Sequence, residues 1–342
     1  MCCSENRKKR RSKRLLAFLV ATLILGLSGC RGFMPAQSPL LNLEGAHPFG
    51  TTRLAFDGHG RRLASGGFSG EIIIWAVPSG KRLIKLHPFL LGFSEVLWGK
   101  AIMGLTWVDD SHLVSGLKSG RIVLWNVHDG KRLNSIKASS ALNSLVLIPN
   151  QAIVVTGHRD GKIRAFSLPH LLVTSEFNMG ATVLSLAYDR VFERLAASAK
   201  GGRVAIFTRE MRLIRDLDPA PLDTYEIRFA PDGQQLAGGT QSKLLFWDLQ
   251  SGQVRIKDTG HLGAVTSIDY SPNGEHLVSL GRFTDSSIRL LNLESGMLER
   301  RLASHGLCGK AIRFSPDGRF VASGGDDRSV RLYDISAPSV QR

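Results

Sequence analysis

Apolar and polar residues alternate along this chain in short bursts. Ile72-Ile73-Ile74-Trp75-Ala76-Val77, Ile122-Val123-Leu124-Trp125-Asn126-Val127 and Leu244-Leu245-Phe246-Trp247-Asp248-Leu249 are related apolar runs. Each has the length of a buried strand and is bounded by turn residues. Weaker copies centre on Phe166, Phe207, Leu291 and Tyr333. The anchor position therefore recurs at 75, 125, 166, 207, 247, 291 and 333, at intervals of 50, 41, 41, 40, 44 and 42 residues. Ahead of the runs stand Leu63-Ala64-Ser65-Gly66, Leu113-Val114-Ser115-Gly116 and Val321-Ala322-Ser323-Gly324, and earlier still Asp232-Gly233, Asn273-Gly274 and Asp317-Gly318. Asn-Gly and Asp-Gly between apolar runs predict hairpins, because such turns need φ > 0. The pattern predicts seven units of three or four antiparallel strands, five or six residues each, with no room for a helix.

The period of 40–45, the Trp-Asp ending and the Gly-His opening resemble the WD-repeat β-propeller family. The resemblance covers about residues 40–337. It implies an all-β fold, a seven-bladed propeller of four-stranded antiparallel blades. It also implies a bracing set of His, Ser, Asp and Trp in each blade. Blade seven matches with His305, Ser323, Asp327 and Tyr333. Blade six keeps His261, Ser279 and Asp285, with Leu291 in the Trp place. Blade one keeps His47, Ser65 and Trp75, with Ser69 in the Asp place. Blades three to five depart from the pattern, with Phe166 and Phe207 for Trp and Ala220 in the His place. Ser336-Ala337-Pro338 stops any strand after Tyr333-Asp334-Ile335, so Leu40–Leu43 is expected to supply the outer strand of blade seven and close the ring.

The first thirty residues follow another logic. Arg7–Arg14 is basic, and Leu15–Gly29 is uncharged. This is the layout of a secretory leader. Its end, Leu27-Ser28-Gly29-Cys30, resembles the lipobox of bacterial lipoproteins, which implies cleavage before Cys30 and lipidation of its thiol. Arg31 in the following position implies the outer membrane in preference to the inner. The expected organisation is a signal peptide over 1–29, a lipidated tether over 30–39, the propeller over 40–337 and a tail over 338–342. The expected location is the bacterial envelope, facing the periplasm.

Processing also changes the charge. The chain carries 44 Lys+Arg and 29 Asp+Glu, a net +15. Removing 1–29 takes away seven cations and one Glu, leaving 37 against 28, or +9. Four Cys exclude a disulfide-dense scaffold. His-x-x-x-His and Cys-x-x-Cys are absent, so no metal and no cofactor is expected. Asp326-Asp327 looks like a carboxylate pair, but Asp327 is better placed as the bracing acid. No catalytic constellation emerges.

Function is then expected on a loop face around the channel. The family resemblance implies partner-binding positions at Phe68, Met103, Lys118, Asn143, Arg159, Lys200, Tyr225, Lys310 and Asp326. Lys118, Arg159 and Lys200 fall on consecutive blades and form an expected basic arc, which favours a protein partner with an acidic surface. No nucleic acid is expected. The apolar insertion within 87–101 is either tucked on itself or a contact. The expected function is a non-enzymatic, membrane-tethered scaffold for a protein complex of the bacterial envelope. The alternative is a propeller hydrolase, lyase or ligand-binding protein with its site at the channel mouth.

Overall fold

A computed structural model describes residues 35–87, 99–283 and 285–336. Every described strand belongs to the unit Ala36–Arg342. Cys30, the leader, most of the 87–101 insertion and residues 337–342 lie outside the described residues.

Among the described residues, twenty-eight strands form seven separate four-stranded antiparallel sheets. After β1 (Leu41–Leu43), blade one comprises β2 (Thr51–Phe56), β3 (Arg62–Gly67), β4 (Ile72–Ala76) and β5 (Arg82–Leu86). Blade two comprises β6 (Ile102–Trp107), β7 (His112–Leu117), β8 (Arg121–Asn126) and β9 (Arg132–Lys137). Blade three holds β10 (Leu142–Ile148), β11 (Ile153–His158), β12 (Lys162–Ser167) and β13 (Leu172–Asn178). Blade four holds β14 (Val183–Asp189), β15 (Arg194–Ala199), β16 (Val204–Thr208) and β17 (Leu213–Asp216). Blade five holds β18 (Glu226–Phe229), β19 (Gln235–Gly239), β20 (Lys243–Asp248) and β21 (Val254–Asp258). Blade six holds β22 (Val265–Tyr270), β23 (His276–Gly281), β24 (Ile288–Asn292) and β25 (Leu298–Leu302). Blade seven takes β26 (Gly309–Phe314), β27 (Phe320–Gly325) and β28 (Val330–Asp334), and β1 completes it. A 3-10 turn, Pro149–Gln151, joins β10 to β11.

The expected closure is present. β1 pairs antiparallel with β28 in the register Leu41–Leu332, Asn42–Arg331 and Leu43–Val330. Gln37, assigned to the tether by sequence, is already docked: its N–H donates to Arg301 O, and its carbonyl accepts from Ala303 N, both at 2.8 Å.

The core follows from strand alternation between stacked sheets. Seven clusters of buried apolar side chains each fill one seam between neighbouring blades. Leu86 and Ile102 sit in the seam of blades one and two, and Phe320 and Trp75 in the seam that closes seven onto one. The anchor residues Trp125, Phe166, Phe207, Trp247 and Tyr333 are almost wholly buried. Phe in place of Trp in the weaker repeats still fills the seam with a buried aromatic ring, which is why the fold survives the loss of the motif.

Candidate functional site: bracing relays, loop face and central channel

The braces show what the repeat motif does. In blade seven, His305 Nδ1 meets Asp327 Oδ1 at 2.9 Å and its Nε2 meets Ser323 Oγ at 2.8 Å. Tyr333 donates its hydroxyl to the Ala303 carbonyl at 2.6 Å. In blade six, His261 bridges Asp285 (2.9 Å) and Ser279 (3.0 Å). Asp285 is buried and Asp327 half-buried, which opposes ionisation. Hydrogen bonds led by those from His261 and His305 nevertheless hold Asp285 and Asp327 well below the usual carboxylate range. In blade one, Trp75 Nε1 donates to Ser65 Oγ, which also meets His47 Nε2, both at 2.9 Å.

The blade-one relay ends there. His47 Nδ1 and Ser69 Oγ are both buried without a protein partner, because serine in the acid's place is too short to reach the ring. Burial pushes His47 down to about 4, against an opposing pull from Glu71. The imidazole is therefore neutral in the folded chain. Between pH 6.5 and 4 the unfolded chain takes up the proton first, so folding stability falls as pH falls. His47 alone should cost about 2 kcal/mol between pH 7 and pH 5. Urea unfolding at both pH values should show that part of the slope vanish in His47→Gln. An unchanged slope would refute it.

Blade three holds a brace that the repeat text hides. His158 Nε2 meets Thr156 Oγ1 at 2.8 Å, and its Nδ1 faces Ser140 O at 3.1 Å. In blades one, six and seven the corresponding strand position is Gly67, Gly281 or Gly325. A Cβ added there would lie within 3.0 Å of the bracing imidazole. In blade three that position is the histidine itself. The ring approaches from the strand instead of from the loop. A histidine where its sister repeats carry glycine, two residues after the Ser/Thr, was the available signal.

Antiparallel alternation fixes which loops share a face. The loops entering each inner strand and those joining the second strand to the third lie on the same side. Backbone bonds tie them together, as in Lys118 N to Ala101 O and Arg159 N to Ala141 O, both 2.8 Å. In six blades the inner strand shifts register near its start, at Thr52, Met103, Asn143, Leu184, Thr266 and Lys310. Such a bulge re-aims one side chain, and three of the six, Met103, Asn143 and Lys310, are positions implied by the resemblance. Thr52 is buried, its hydroxyl bound to Ile102 O at 2.7 Å. Met103 and Asn143 are half-buried, and Asn143 donates to Val183 O at 2.9 Å.

Lys118, Arg159, Lys200 and Tyr225 are exposed on this face. Phe68 and Asp326 instead both meet Lys310 across the seam of blades seven and one. Lys310 Nζ lies 3.3 Å from Asp326 Oδ2 and 5.3 Å from the Phe68 ring centre. Burial lowers the Lys310 pKa while Asp326 opposes the shift. The same face also carries an apolar crescent absent from the sequence expectations. Leu222 and Tyr225 belong to blade five, Leu262 and Phe283 to six, Leu307 to seven and Phe49 to one. All are exposed, Leu262 at 78%. Phe49, Leu262, Leu307 and Leu222 lie one or two residues after the His position, which was the legible sign.

The inner strands enclose an open channel of about 440 Å³. Its walls are unequal. The inner strands of blades two to four contribute Gly104, Thr106, Ser144, Val146, Ser185 and Ala187, all uncharged, with the exposed Arg190 just beyond β14 at the rim. Blades five to seven contribute an ionic network. Glu226 Oε1 accepts from Arg228 at 2.5 Å and from Arg313 at 2.7 Å, and its Oε2 accepts from Ser267 Oγ (2.6 Å) and Ile268 N (3.0 Å). Asp269 Oδ2 accepts from Phe314 N at 2.8 Å. Burial alone would raise the Glu226 pKa, but Arg228 and Arg313 pull it down to about 2. Burial pushes Asp269 up, and pushes Arg53 down to about 10. Among the described residues, no three His, Cys, Asp or Glu side chains converge to hold a metal.

These features define a seven-bladed propeller with bracing relays at the loop face. Comparison with known proteins adds the repeat type. The family described as WD domain, G-beta repeat matches residues 38–76, 252–292 and 298–334. Each matched stretch begins at or just before an outer strand and ends on the third strand of the following blade. These stretches cover blades one, six and seven, whose braces take their histidine from the loop.

The chain is similar to the meiotic recombination protein rec14 of Schizosaccharomyces pombe, at 30% identity over 52% of this chain and 60% of that protein. It is similar to the nuclear distribution protein PAC1 of Arthroderma otae, at 29% over 45% and 36%. With the protein groucho of Drosophila melanogaster, identity is 32% over 36% of this chain and 17% of that protein. The matches span 60% or less of these relatives' lengths.

Proposed function

We propose that the chain is a non-enzymatic docking platform, held at a bacterial membrane by lipid on Cys30, facing the periplasm at the outer membrane. The observation that carries the docking role is the composition of one face. An apolar crescent over blades five, six, seven and one continues into the exposed cations Lys118, Arg159 and Lys200 over blades two to four. Contiguous exposed apolar groups on a rigid scaffold mark interaction surfaces, and fixed cations beside them select the partner by charge. The partner is a protein that offers apolar side chains flanked by carboxylates. The membrane placement is supported by the leader and by its resemblance to the lipobox.

Affinity purification of the tagged full chain from detergent-solubilised native membranes, with mass spectrometry, tests this. A stoichiometric envelope protein should co-purify. Its recovery should fall about tenfold or more in Lys118→Glu/Arg159→Glu/Lys200→Glu, and likewise in Leu262→Ser/Phe283→Ser/Leu307→Ser. Recovery of the chain alone, or of a partner indifferent to both variants, would overturn the docking reading. Cys30→Ser should move the chain to the soluble fraction, and retention in membranes would overturn the lipid tether.

A further inference from the structure

The channel carries more positive charge than the propeller needs. Arg53, Arg190, Arg228, Lys310 and Arg313 line it, against only Glu226 and Asp269. Lys310 is matched by Asp326, which leaves Arg53, Arg228 and Arg313 facing two carboxylates inside, an excess of one, with the exposed Arg190 of blade four adding a second positive charge at the rim. Both carboxylates sit on the wall of blades five and six and are engaged by Arg228 and Arg313. Arg53 rises from blade one; it feels the pull of Glu226, a carboxylate already paired with Arg228 and Arg313, but makes no ion pair of its own. It donates to the carbonyls of Met103 and Thr52 at 2.8 Å and of Asn143 at 3.3 Å. Those bonds use three of its five N–H groups and neutralise none of its charge.

A cation confined in a narrow, partly desolvated space, whose nearest carboxylate is already shared by two other guanidiniums, is costly. The carbonyls hold the Arg53 guanidinium in a fixed orientation, so its binding of an anion would need little reordering. The space, about 440 Å³, lies within the range of small-molecule sites.

We propose that the central channel binds a small anion carrying about two negative charges, a phosphate ester or a di- or tricarboxylate, seated between Arg53 and the Arg228–Arg313 wall. Guanidinium forks recognise both chemistries, and the uncharged inner strands of blades two to four leave room for the uncharged body of the ligand. The site is independent of the loop-face partner.

Isothermal titration calorimetry of the full chain at constant ionic strength tests this with two probes, inorganic phosphate and citrate, and acetate as the singly charged control. Saturable one-to-one binding of phosphate, citrate or both should appear, with acetate much weaker. Which multivalent probe binds tighter distinguishes phosphate from carboxylate ligands. Arg53→Gln should weaken binding by about tenfold or more. Because Arg53 also ties blades one to three, a second variant guards against a folding defect. Thr106→Glu places a carboxylate on an uncharged inner strand and should weaken binding to a similar extent. Lys118→Glu/Arg159→Glu/Lys200→Glu should leave it unchanged. No saturable heat from either multivalent probe up to about 10 mM, or binding unaffected by both channel variants, would overturn the proposal. Loss in the triple variant would overturn it as well, by placing the anion on the loop face.

Discussion

Glu226→Ala should destabilise the propeller by about 3–5 kcal/mol, one of the largest single-residue effects expected in the molecule. The carboxylate joins three blades. It pairs with Arg228 of its own blade, accepts from Ser267 Oγ and Ile268 N of blade six, and pairs with Arg313 of blade seven. Truncation leaves two guanidiniums with Asp269 as their remaining carboxylate, and leaves the Ile268 N–H without its acceptor. A broken buried pair costs far more than an intact one contributes, because the survivor's charge stays desolvated.

Channel water reaches the side chain, which is 13% exposed, and this favours the lower end of the range. Glu226→Gln keeps the shape and one acceptor oxygen, and should cost less than the alanine variant. The folded pKa near 2 lies below that of the unfolded chain. The stabilisation is therefore complete above about pH 4.5 and is lost as pH falls toward 2. Urea unfolding at pH 7 measures the effect, and a loss below about 1 kcal/mol in Glu226→Ala would refute the hub role.

The seven blades were legible because each repeat spells its own hairpins and its own buried anchor. Local information sufficed there, since Asp317-Gly318 specifies a turn wherever the rest of the ring lies. The braces of blades six and seven were legible for a similar reason, with partners within about 24 residues of each other. The channel network was not. Glu226, Asp269 and Arg313 come from three inner strands one repeat apart, and each alone looks like an ordinary polar residue of a half-exposed strand. Only ring closure brings them together. Phe68, Lys310 and Asp326 show the same limit. Read separately, they are three contact positions, yet the meeting of blade seven with blade one makes them a cation–π and ion-pair cluster. His158 escaped because its ring fills a familiar volume from an unfamiliar backbone position.

The chain beginning at residue 46 should be about 3–5 kcal/mol less stable than the chain beginning at residue 36. The two differ by the segment that closes the ring. Leu41 and Leu43 pack against the cluster of Leu54, Trp75, Phe320 and Leu332, and each half-buried leucine contributes about 1 kcal/mol. Leu40 N donates to Leu332 O at 2.7 Å, Gln37 Nε2 donates to Asp334 O at 2.6 Å, and the β1–β28 ladder adds its own bonds. Without β1, the edge of β28 is left unpaired, open to pairing with another chain. The shorter chain should therefore also aggregate during thermal melting. A synthetic peptide of residues 36–46 should restore much of the lost stability in trans, because pairing in this register needs no covalent link to blade one. Leu41→Asp/Leu43→Asp in the full chain should reproduce part of the loss by removing the apolar contacts while keeping the backbone ladder. Equal melting temperatures for the chains beginning at 36 and 46 would show that the last blade holds as three strands and that the ring does not depend on its closing strand.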